Sequence, residues 1–457
     1  MLHNRTARSL FEDVAVICPV IDFHSHLDPK RYADNERFTE ISDLWIRADP
    51  YKWRAMRMNG VPERVITGDA SPEERFNAWA ATMPMLAGNP LFHWSRLELK
   101  RFFGLDTLLT PDTAETVRAK CNEQLSEPHL RPRAMLKTCG VEVFMTSDPW
   151  CGEGDLVHHH KASSEKLEPT MAPSLRADAL LDIGAPAFAV LIQDLERVSE
   201  SRITRLEALQ QALLNRMDAF SACGCTLADL GLDQVPGGDC TEEEAGLLFE
   251  CWHQGDVETA EPGKWTRYWA GWIAAQCAER NWVLQLHLGA QRQTSERLAE
   301  LTVGGGGYAC IGTALDISAL VRLLNAMEKI GGLPRIVLYP LNPNDFEPLA
   351  SLCGAFVEDG VPGKLQLGAA WWYNDHREGM ERQLRALANH ALLGRFPGMV
   401  TDSRSFLSGV RHEYFRRVLC NLLGQWVETG ELPSDADFLH PLVRDLCYGN
   451  AREVFYP

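Results

Sequence analysis

Residues 14–29 read V-A-V-I-C-P-V-I-D-F-H-S-H-L-D-P, an apolar run that leads into two histidines. Alternate side chains of an extended strand lie on the same face, so His24 and His26 are expected to project together from the end of a buried strand. Two imidazoles on one face can bind a metal ion. Two unrelated histidines at a strand end are the alternative, because so short a pattern also occurs by chance. Later strand ends that carry His287, Asp402 and several arginines favour the metal site.

The length and charge of the chain limit the possible classes of protein. A chain of 457 residues can form several domains, but a barrel of alternating strands and helices with insertions also reaches this length. The formal net charge of -17 argues against a nucleic-acid or anionic-membrane partner. An anionic substrate would therefore have to be bound by local arginines, against the field of the whole chain.

The cysteines and the apolar segments indicate a cytoplasmic protein. Thirteen cysteines are scattered along the chain, and only Cys223 and Cys225 are closely spaced, so neither a zinc-ribbon spacing nor a small-domain disulfide framework is present. This usage fits a reducing compartment. No stretch approaches the roughly 18 apolar residues of a membrane span, and we expect neither a membrane segment nor an export signal.

Short apolar runs that end in polar clusters alternate with longer helix-like segments. We predict strands in the runs at 14–23, 141–145, 170–173, 282–286, 335–339, 365–368 and 399–400. Chemistry at the carboxyl ends of strands that alternate with helices is typical of parallel α/β proteins. Seven such ends predict an α/β fold of the (β/α)8 TIM type, with one strand not located.

Residues at about 30–137 form an insertion after the first strand. A crossover between parallel strands needs only about a dozen residues, so this segment is long enough to form a helical cap beside the barrel mouth. Its tryptophans are expected to be core residues rather than ligand-stacking residues; they are Trp45, Trp53, Trp79 and Trp94. Apolar spacing predicts outer helices at 203–222 and 378–393, and the last sixty residues look helical. We expect residues 1–457 to form one domain.

Several long motifs, spread in order over nearly the whole chain, resemble those of the uronate isomerases, a branch of the metal-dependent amidohydrolase superfamily. They are F-H-S-H-L from Phe23, Y-K-W-R-A-M-R from Tyr51, G-N-P-L-F-H-W from Gly88, A-C-G-C from Ala222, L-Q-L-H-L-G-A from Leu284, Y-P-L-N-P from Tyr339, W-W-Y-N-D from Trp371, T-D-S-R-S-F-L-S from Thr401 and R-H-E-Y-F-R-R from Arg411. Chance or a shared fold alone does not explain so many ordered matches.

The resemblance implies a site with one divalent metal ion, expected to be zinc, held by His24, His26 and Asp402 with His287 near it. Imidazole and carboxylate suit such a cation, and three protein ligands leave a position open for catalysis. The resemblance also points to substrate-side residues, which are Tyr51, Arg176, Asp229, Arg292, Trp371, Trp372 and Arg404. Arginine can bind a carboxylate through two parallel hydrogen bonds, and a structural salt bridge is the alternative for each arginine.

The implied reaction is aldose–ketose isomerisation of hexuronates in sugar-acid catabolism, from D-glucuronate to D-fructuronate and from D-galacturonate to D-tagaturonate. The proton on the carbon next to an aldehyde is weakly acidic, so a positive centre and a positioned base lower the barrier. The metal and arginines such as Arg404 would supply that charge. By resemblance, Asp402 moves a proton in opening the sugar ring with help from His287, and Tyr51 is the acid/base at carbon.

The chain departs from the family pattern at positions near the expected substrate. Pro50 replaces a histidine and can neither transfer a proton nor donate a hydrogen bond. The family's Asp-His-Gly reads Asp229-Leu230-Gly231 here. Its Arg-Asn-Asn-Asn reads Arg292-Gln293-Thr294-Ser295, a loop at 304–313 is replaced, and an aromatic-containing pair reads Gly409-Val410. These changes affect the exact substrate more than the reaction class.

Two alternatives to a true uronate isomerase stay open from the sequence. One is a divergent paralogue that acts on another sugar acid or hydroxy-carboxylate, and the other is a metal-dependent hydrolase in which Asp402 activates a metal-bound water. We expect a homo-oligomer with a small-molecule substrate, and a purely binding role is disfavoured because the metal-ligand set is intact.

Overall fold

A curled parallel β-sheet of seven strands lies at the centre of the molecule. The computed structural model describes residues 1–152, 156–256, 262–292, 294–302 and 306–456. Its strands are β1 (Val20–Ser25), β2 (Val141–Pro149), β3 (Thr170–Arg176), β4 (Leu227–Leu232), β5 (Val283–Leu288), β6 (Ala290–Gln291), β7 (Cys310–Ile311), β8 (Arg335–Pro340) and β9 (Leu365–Leu367). The sheet order is β1-β2-β3-β4-β5-β8-β9 with parallel neighbours, whereas β6 and β7 form a separate antiparallel pair.

The segment 400–403 lies beside β1, where an eighth strand would be expected. The N–H of His26 donates to the carbonyl of Ser403 over 2.9 Å, and the N–H of Asp402 donates to the carbonyl of His24 over 3.1 Å. Among the described residues, no backbone hydrogen bond joins this segment to β9. The predicted parallel α/β class is therefore confirmed, whereas closure into a complete barrel stays a prediction.

Three strand predictions need correction. The first strand begins at Val20, because the apolar residues before it belong to the helical turns Leu10–Val14 and Ala15–Ile17. The segment 399–400 is not a regular strand. The strand that was not located is β4, whose sequence L-A-D-L-G-L is interrupted by Asp229 and Gly231 and so lacks a continuous apolar run.

Helices fill the chain between β1 and β2. They are Pro29–Ala33, Ile41–Trp45, Pro50–Met58, Glu63–Ile66, Pro72–Thr82, Pro90–Phe103, Ala114–Gln124 and Pro132–Thr138. Trp45, Trp79 and Trp94 are fully buried and Trp53 is partly buried against the same core, so the tryptophans act in packing, as predicted.

The other helices precede β1 or follow the later strands. They are Arg5–Ser9, Val157–Ser164, Pro186–Ser199, Leu206–Ala222, Glu242–His253, Pro262–Glu279, Glu296–Leu301, Ile317–Gly331, Phe346–Leu352, Arg377–His390, Val410–Glu428, Ala436–Arg444 and Asn450–Phe455. The two predicted outer helices and the helical C-terminal region are confirmed to within a few residues. Within the described ranges, no helix combines the length and apolar character that crossing a membrane requires.

Two helices place side chains next to the strand ends. Asp49 caps Pro50–Met58 by accepting from the N–H groups of Tyr51 and Lys52, and Pro50 occupies the first turn, where its missing N–H costs little. At the start of Val410–Glu428, the Arg411 guanidinium donates to the carbonyl of Thr401 over 2.9 Å. The first contact fixes the start of the helix that carries Tyr51, and the second fixes Arg411 beside the segment 400–403.

Candidate active site

A cavity of about 290 Å³ opens at the carboxyl ends of the strands. All residues predicted for the site line it, and these are His24, His26, Tyr51, Arg176, Asp229, His287, Arg292, Trp371, Trp372, Asp402 and Arg404. Side chains without a role assigned from the sequence also line it, among them Arg54, Asp178, Tyr308 and Tyr373. The carboxyl end of a parallel α/β sheet is where such folds bind their ligands.

His24, His26 and Asp402 form a compact group of potential metal ligands. One donor atom from each lies within 4.8 Å of the other two. The Asp402 Oδ1 atom is 3.0 Å from His26 Nε2 and 3.4 Å from His24 Nε2. Asp402 Oδ2 is buried without a hydrogen-bond partner, and Asp402 has a left-handed φ of 48°. A buried carboxylate oxygen needs a partner, and a divalent cation bound between these donors would provide one.

Asp229 lies behind His24 rather than only facing the cavity. Its Oδ1 atom is 3.4 Å from His24 Nδ1 and accepts from the Gln285 amide over 2.9 Å. Its Oδ2 atom accepts from the hydroxyls of Ser174 at 2.7 Å and Ser147 at 3.1 Å. A carboxylate behind a ligating imidazole fixes the ring orientation and raises its basicity. The geometry of Asp229 is thus suited to orienting His24. The predicted role of Asp229 in binding substrate stays a prediction.

The electrostatics of this group favour a cation. Burial alone would lower the pKa of His24, but Asp229 and Asp402 raise it to about 10. Burial lowers the pKa of His26 to about 4 against the opposing effect of Asp402, so its imidazole is neutral with a free lone pair. Burial would raise the pKa of Asp402, yet His24 and His26 hold it well below its usual range. A fixed carboxylate, a neutral imidazole and a site that stabilises positive charge fit a divalent metal.

His287 lies next to this group without belonging to it. Its ring centroid is 4.8 Å from that of His24 and 4.7 Å from that of Trp371, and the ring stacks on Tyr339 at 4.8 Å. Burial and the neighbouring His24 hold the pKa of His287 well below 6.5. Its imidazole is therefore neutral at physiological pH.

The three predicted arginines differ in whether they already have a partner. Arg176 forms a two-pronged ion pair with Asp178, with Nε and Nη2 each 2.9 Å from Oδ2, and Arg292 pairs with Asp233. Arg404 forms no hydrogen bond or ion pair within the part of the chain that the structure describes. Arg404 is thus the guanidinium of the three that is most available to an anionic ligand, whereas Arg176 and Arg292 already have a carboxylate partner.

Tyr51 contacts two charged residues to which the sequence assigned no role. Its hydroxyl donates to Asp375 Oδ2 over 2.9 Å, and the Arg411 guanidinium lies 4.8 Å from its ring centroid. Burial and the Asp375 carboxylate raise the pKa of Tyr51 well above 10. Asp375 and Arg411 belong to the W-W-Y-N-D and R-H-E-Y-F-R-R motifs, where charged residues among aromatic ones were the available signal.

The sequence departures are distributed unevenly around the cavity. Pro50 lines the cavity. Leu230 does not line the cavity, because it is fully buried on the face of the strand opposite to Asp229. Gly306 to Ala309 line the cavity mouth, whereas Gln293 and residues 303–305 of the altered loops lie outside the described residues. Ala309 is held by Arg54, whose Nη1 donates to its carbonyl over 2.9 Å, and by the Tyr373 hydroxyl over 2.6 Å.

A parallel α/β fold with a His-His-Asp group and arginines at the carboxyl ends of its strands is typical of metal-dependent enzymes that act on anionic substrates. The family model for glucuronate isomerase matches residues 1–455. The chain belongs to the glucuronate isomerase family, which confirms the resemblance drawn from its motifs.

Individual relatives match over nearly their full length. A uronate isomerase of Serratia proteamaculans is 42% identical over 459 residues, covering 100% of this chain and 97% of the relative. The crystal structure of a uronate isomerase from Thermotoga maritima superimposes with a TM-score of 0.91 at 30% identity, covering 100% of this chain and 98% of that chain. The crystal structure of a glucuronate isomerase from Caulobacter crescentus superimposes with a TM-score of 0.88 at 25% identity, covering 98% of this chain and 93% of that chain.

Proposed function

We propose that this chain is an aldose–ketose isomerase of hexuronates, converting D-glucuronate to D-fructuronate and D-galacturonate to D-tagaturonate. One observation carries the proposal: a group suited to binding a metal shares one cavity with the guanidinium of Arg404, which has no ion pair among the described residues. Family membership and relatives named uronate isomerase support it. A polyhydroxy acid would find both an electrophilic centre and a carboxylate-binding group in this cavity.

His24, His26 and Asp402 would hold one divalent ion, which we propose to be zinc. When bound, such an ion polarises substrate oxygens and stabilises the negative charge that develops on them. Asp402 also lines the cavity and would accept and return a proton when the sugar ring opens. Neutral His287, next to it, would assist by donating a hydrogen bond rather than by carrying charge.

The arginines and aromatic residues would bind and orient the substrate. Arg404 is proposed to bind the anionic group through paired hydrogen bonds, and Arg176 and Arg292 keep part of their donor capacity beyond their ion pairs. Trp371 and Trp372 stack on each other and form an apolar wall that limits access of water. Tyr51, which lines the cavity as a phenol, would be the acid/base at carbon.

Three further properties are proposed. The cysteine usage favours a cytoplasmic enzyme, and no disulfide bond joins any of the described cysteines. Residues 1–457 would act as one domain with the helical segment at about 30–137 forming part of it. The chain would work as a homo-oligomer, without a nucleic-acid partner because of its acidic charge.

The test is turnover by purified, zinc-loaded protein. D-Glucuronate and D-galacturonate are incubated separately, and formation of the ketose is followed by NMR. Conversion of either uronate, abolished in the His26→Asn variant, supports the proposal. Turnover of neither uronate alongside turnover of another sugar acid would favour a divergent paralogue, and cleavage of an ester or amide would favour a hydrolase.

A further inference from the structure

The hydroxyl of Tyr51 joins the cavity to a buried carboxylate behind it. Tyr51 lines the cavity, whereas Asp375 does not and is only 6% exposed. The hydrogen bond of 2.9 Å from the phenol to Asp375 Oδ2 is the contact between the two side chains. Because Asp375 does not line the cavity, this hydrogen bond is the link through which it can act on the substrate side.

We propose that Asp375 is a positioning residue that accepts the phenolic proton of Tyr51 during isomerisation and returns it afterwards. This inference rests on the proposed function. In the forward step, the substrate C–H bond breaks, its electron pair enters the enediolate, and the proton moves to the Tyr51 oxygen. The original phenolic proton passes at the same time to Asp375. In the second step the neighbouring carbon receives a proton from Tyr51, which takes its own proton back from Asp375. In the same step the hydroxyl proton of the first carbon moves to the oxygen of the neighbouring carbon, so that the enediolate becomes the ketose.

The direction of the hydrogen bond matches this sequence of steps. Burial raises the pKa of Asp375 to about 6, with Arg411 opposing the shift, so the carboxylate is ionised but weakly basic near neutral pH. The pKa of Tyr51 is raised well above 10 by burial and by Asp375, so the phenol keeps its proton. A neutral phenol cannot remove a proton from carbon unless it loses its own, and Asp375 is the acceptor within reach.

Two charged residues act on Asp375 in opposite directions. Arg411 lowers the pKa of Asp375, but its guanidinium also faces a second buried acid, with Nη2 3.9 Å from Asp49 Oδ2. Asp402 is a like charge that raises the pKa of Asp375. A neighbouring negative charge disfavours the ionised carboxylate, and this favours proton uptake by Asp375.

The titratable groups that face Asp375 come from several elements. They are Tyr51 from Pro50–Met58, Arg411 and Tyr414 from Val410–Glu428, Asp402 from the segment 400–403, and Tyr373 from its own loop. Tyr51, Tyr373 and Tyr414 have raised pKa values and stay neutral, and Arg411 stays charged. Asp375 is thus the group of this set that titrates near pH 6.

The test compares Asp375→Asn with wild type as zinc-loaded enzymes acting on D-glucuronate. The amide can still accept the phenolic hydrogen bond but cannot accept the proton. We expect kcat to fall by about 10²-fold or more, the contribution of a positioned acid/base group. KM should change little, the rise of kcat between pH 5 and 7 should disappear, and the isotope effect with substrate deuterated at the reacting carbon should increase.

A matched control separates proton transfer from structural damage. Asp345→Asn changes another buried carboxylate whose pKa is raised by burial but which does not line the cavity, and it should retain wild-type kcat. In a Tyr51→Phe background, Asp375→Asn should cause no further loss, because a residue that acts through Tyr51 has nothing left to act on. An equal loss in both backgrounds would assign Asp375 a structural role and overturn the inference.

Other outcomes are also decisive. Wild-type turnover with an unchanged kcat and pH profile in Asp375→Asn overturns this inference and leaves the proposed function standing. A lack of turnover by wild type overturns both. If Asp375→Asn does not fold, the wild-type profile decides, since a kcat that is constant between pH 5 and 7 contradicts a proton acceptor with a pKa near 6.

Discussion

Replacing Arg404 with lysine should weaken substrate binding without weakening the fold. Arg404 has no hydrogen bond or ion pair among the described residues, so the substitution removes no protein contact of that kind. Lysine keeps the positive charge but lacks the planar fork that makes two parallel hydrogen bonds to a carboxylate. Loss of one charge-assisted hydrogen bond costs about 1.5 to 3 kcal/mol. At about 1.36 kcal/mol per tenfold change, this corresponds to a substrate affinity lower by roughly 10- to 150-fold.

The assay is the dissociation constant of a slow or non-reacting uronate analogue, measured by calorimetry together with the melting temperature. Arg395→Lys is the control, because Arg395 is exposed, lies outside the cavity and has Glu453 at 3.5 Å as its ion-pair partner among the described residues. It should change neither quantity. Arg176→Lys should weaken binding too, but it also disturbs the ion pair with Asp178. Unchanged affinity in Arg404→Lys would refute the reasoning, and so would a fall in melting temperature as large as that of Arg176→Lys.

Three further results are expected. Asp402→Asn removes an anionic ligand and a proton acceptor, so the bound metal measured by elemental analysis should drop and activity should fall about 10²- to 10⁴-fold while circular dichroism stays native. Pro50→His should raise D-glucuronate turnover by far less than the roughly 10²-fold that a well-aimed imidazole provides, and a larger gain in the kinetic assay would contradict this. Asp375 has a pKa raised from 3.8 to about 6, so its contribution to stability is complete below pH 3.8 and is lost as the pH rises through 6. Urea unfolding of the chelator-treated proteins should therefore give Asp375→Asn a free energy of unfolding higher than that of wild type by about 3 kcal/mol at pH 8 and by roughly half as much at pH 5. A difference in the free energy of unfolding that does not depend on pH would contradict the raised pKa of Asp375.

Much of the sheet could be predicted from the sequence because most of its strands are short apolar runs that end in polar residues. β4 was not predicted, because Asp229 and Gly231 face the site and interrupt its apolar pattern. The residues that the site requires here conflict with the local signal for a strand. The predicted start of the first strand was too early, because residues 14–17 are apolar but belong to helical turns. Apolar character alone does not distinguish a buried helical turn from a strand.

The site residues that lie at strand ends could be predicted from the sequence. Parallel strands bring their carboxyl ends to one edge, so His24, His287 and Asp402 were expected to meet, and the motifs indicated the arginines. Asp375 could not be assigned a role, because its contact with Tyr51 spans 324 positions and depends on how two distant segments pack. Arg404 could not be distinguished from Arg176 either, since only the structure shows which guanidinium already has a carboxylate partner.

The departures at Pro50 and in the cavity-mouth loop form one structural unit. A Cβ atom added to Gly307 would overlap the Pro50 carbonyl oxygen, so the loop packs directly on the first turn of Pro50–Met58. The same helix holds the loop through Arg54 and Arg57, which donate to the carbonyls of Ala309 and Gly306. The left-handed φ of 70° at Gly307 adds a second constraint, because other residues rarely adopt it. Because this loop packs on the backbone at position 50, an imidazole introduced there would have to fit beside it, and we expect that a family-like site needs exchange of the helix start and the loop together.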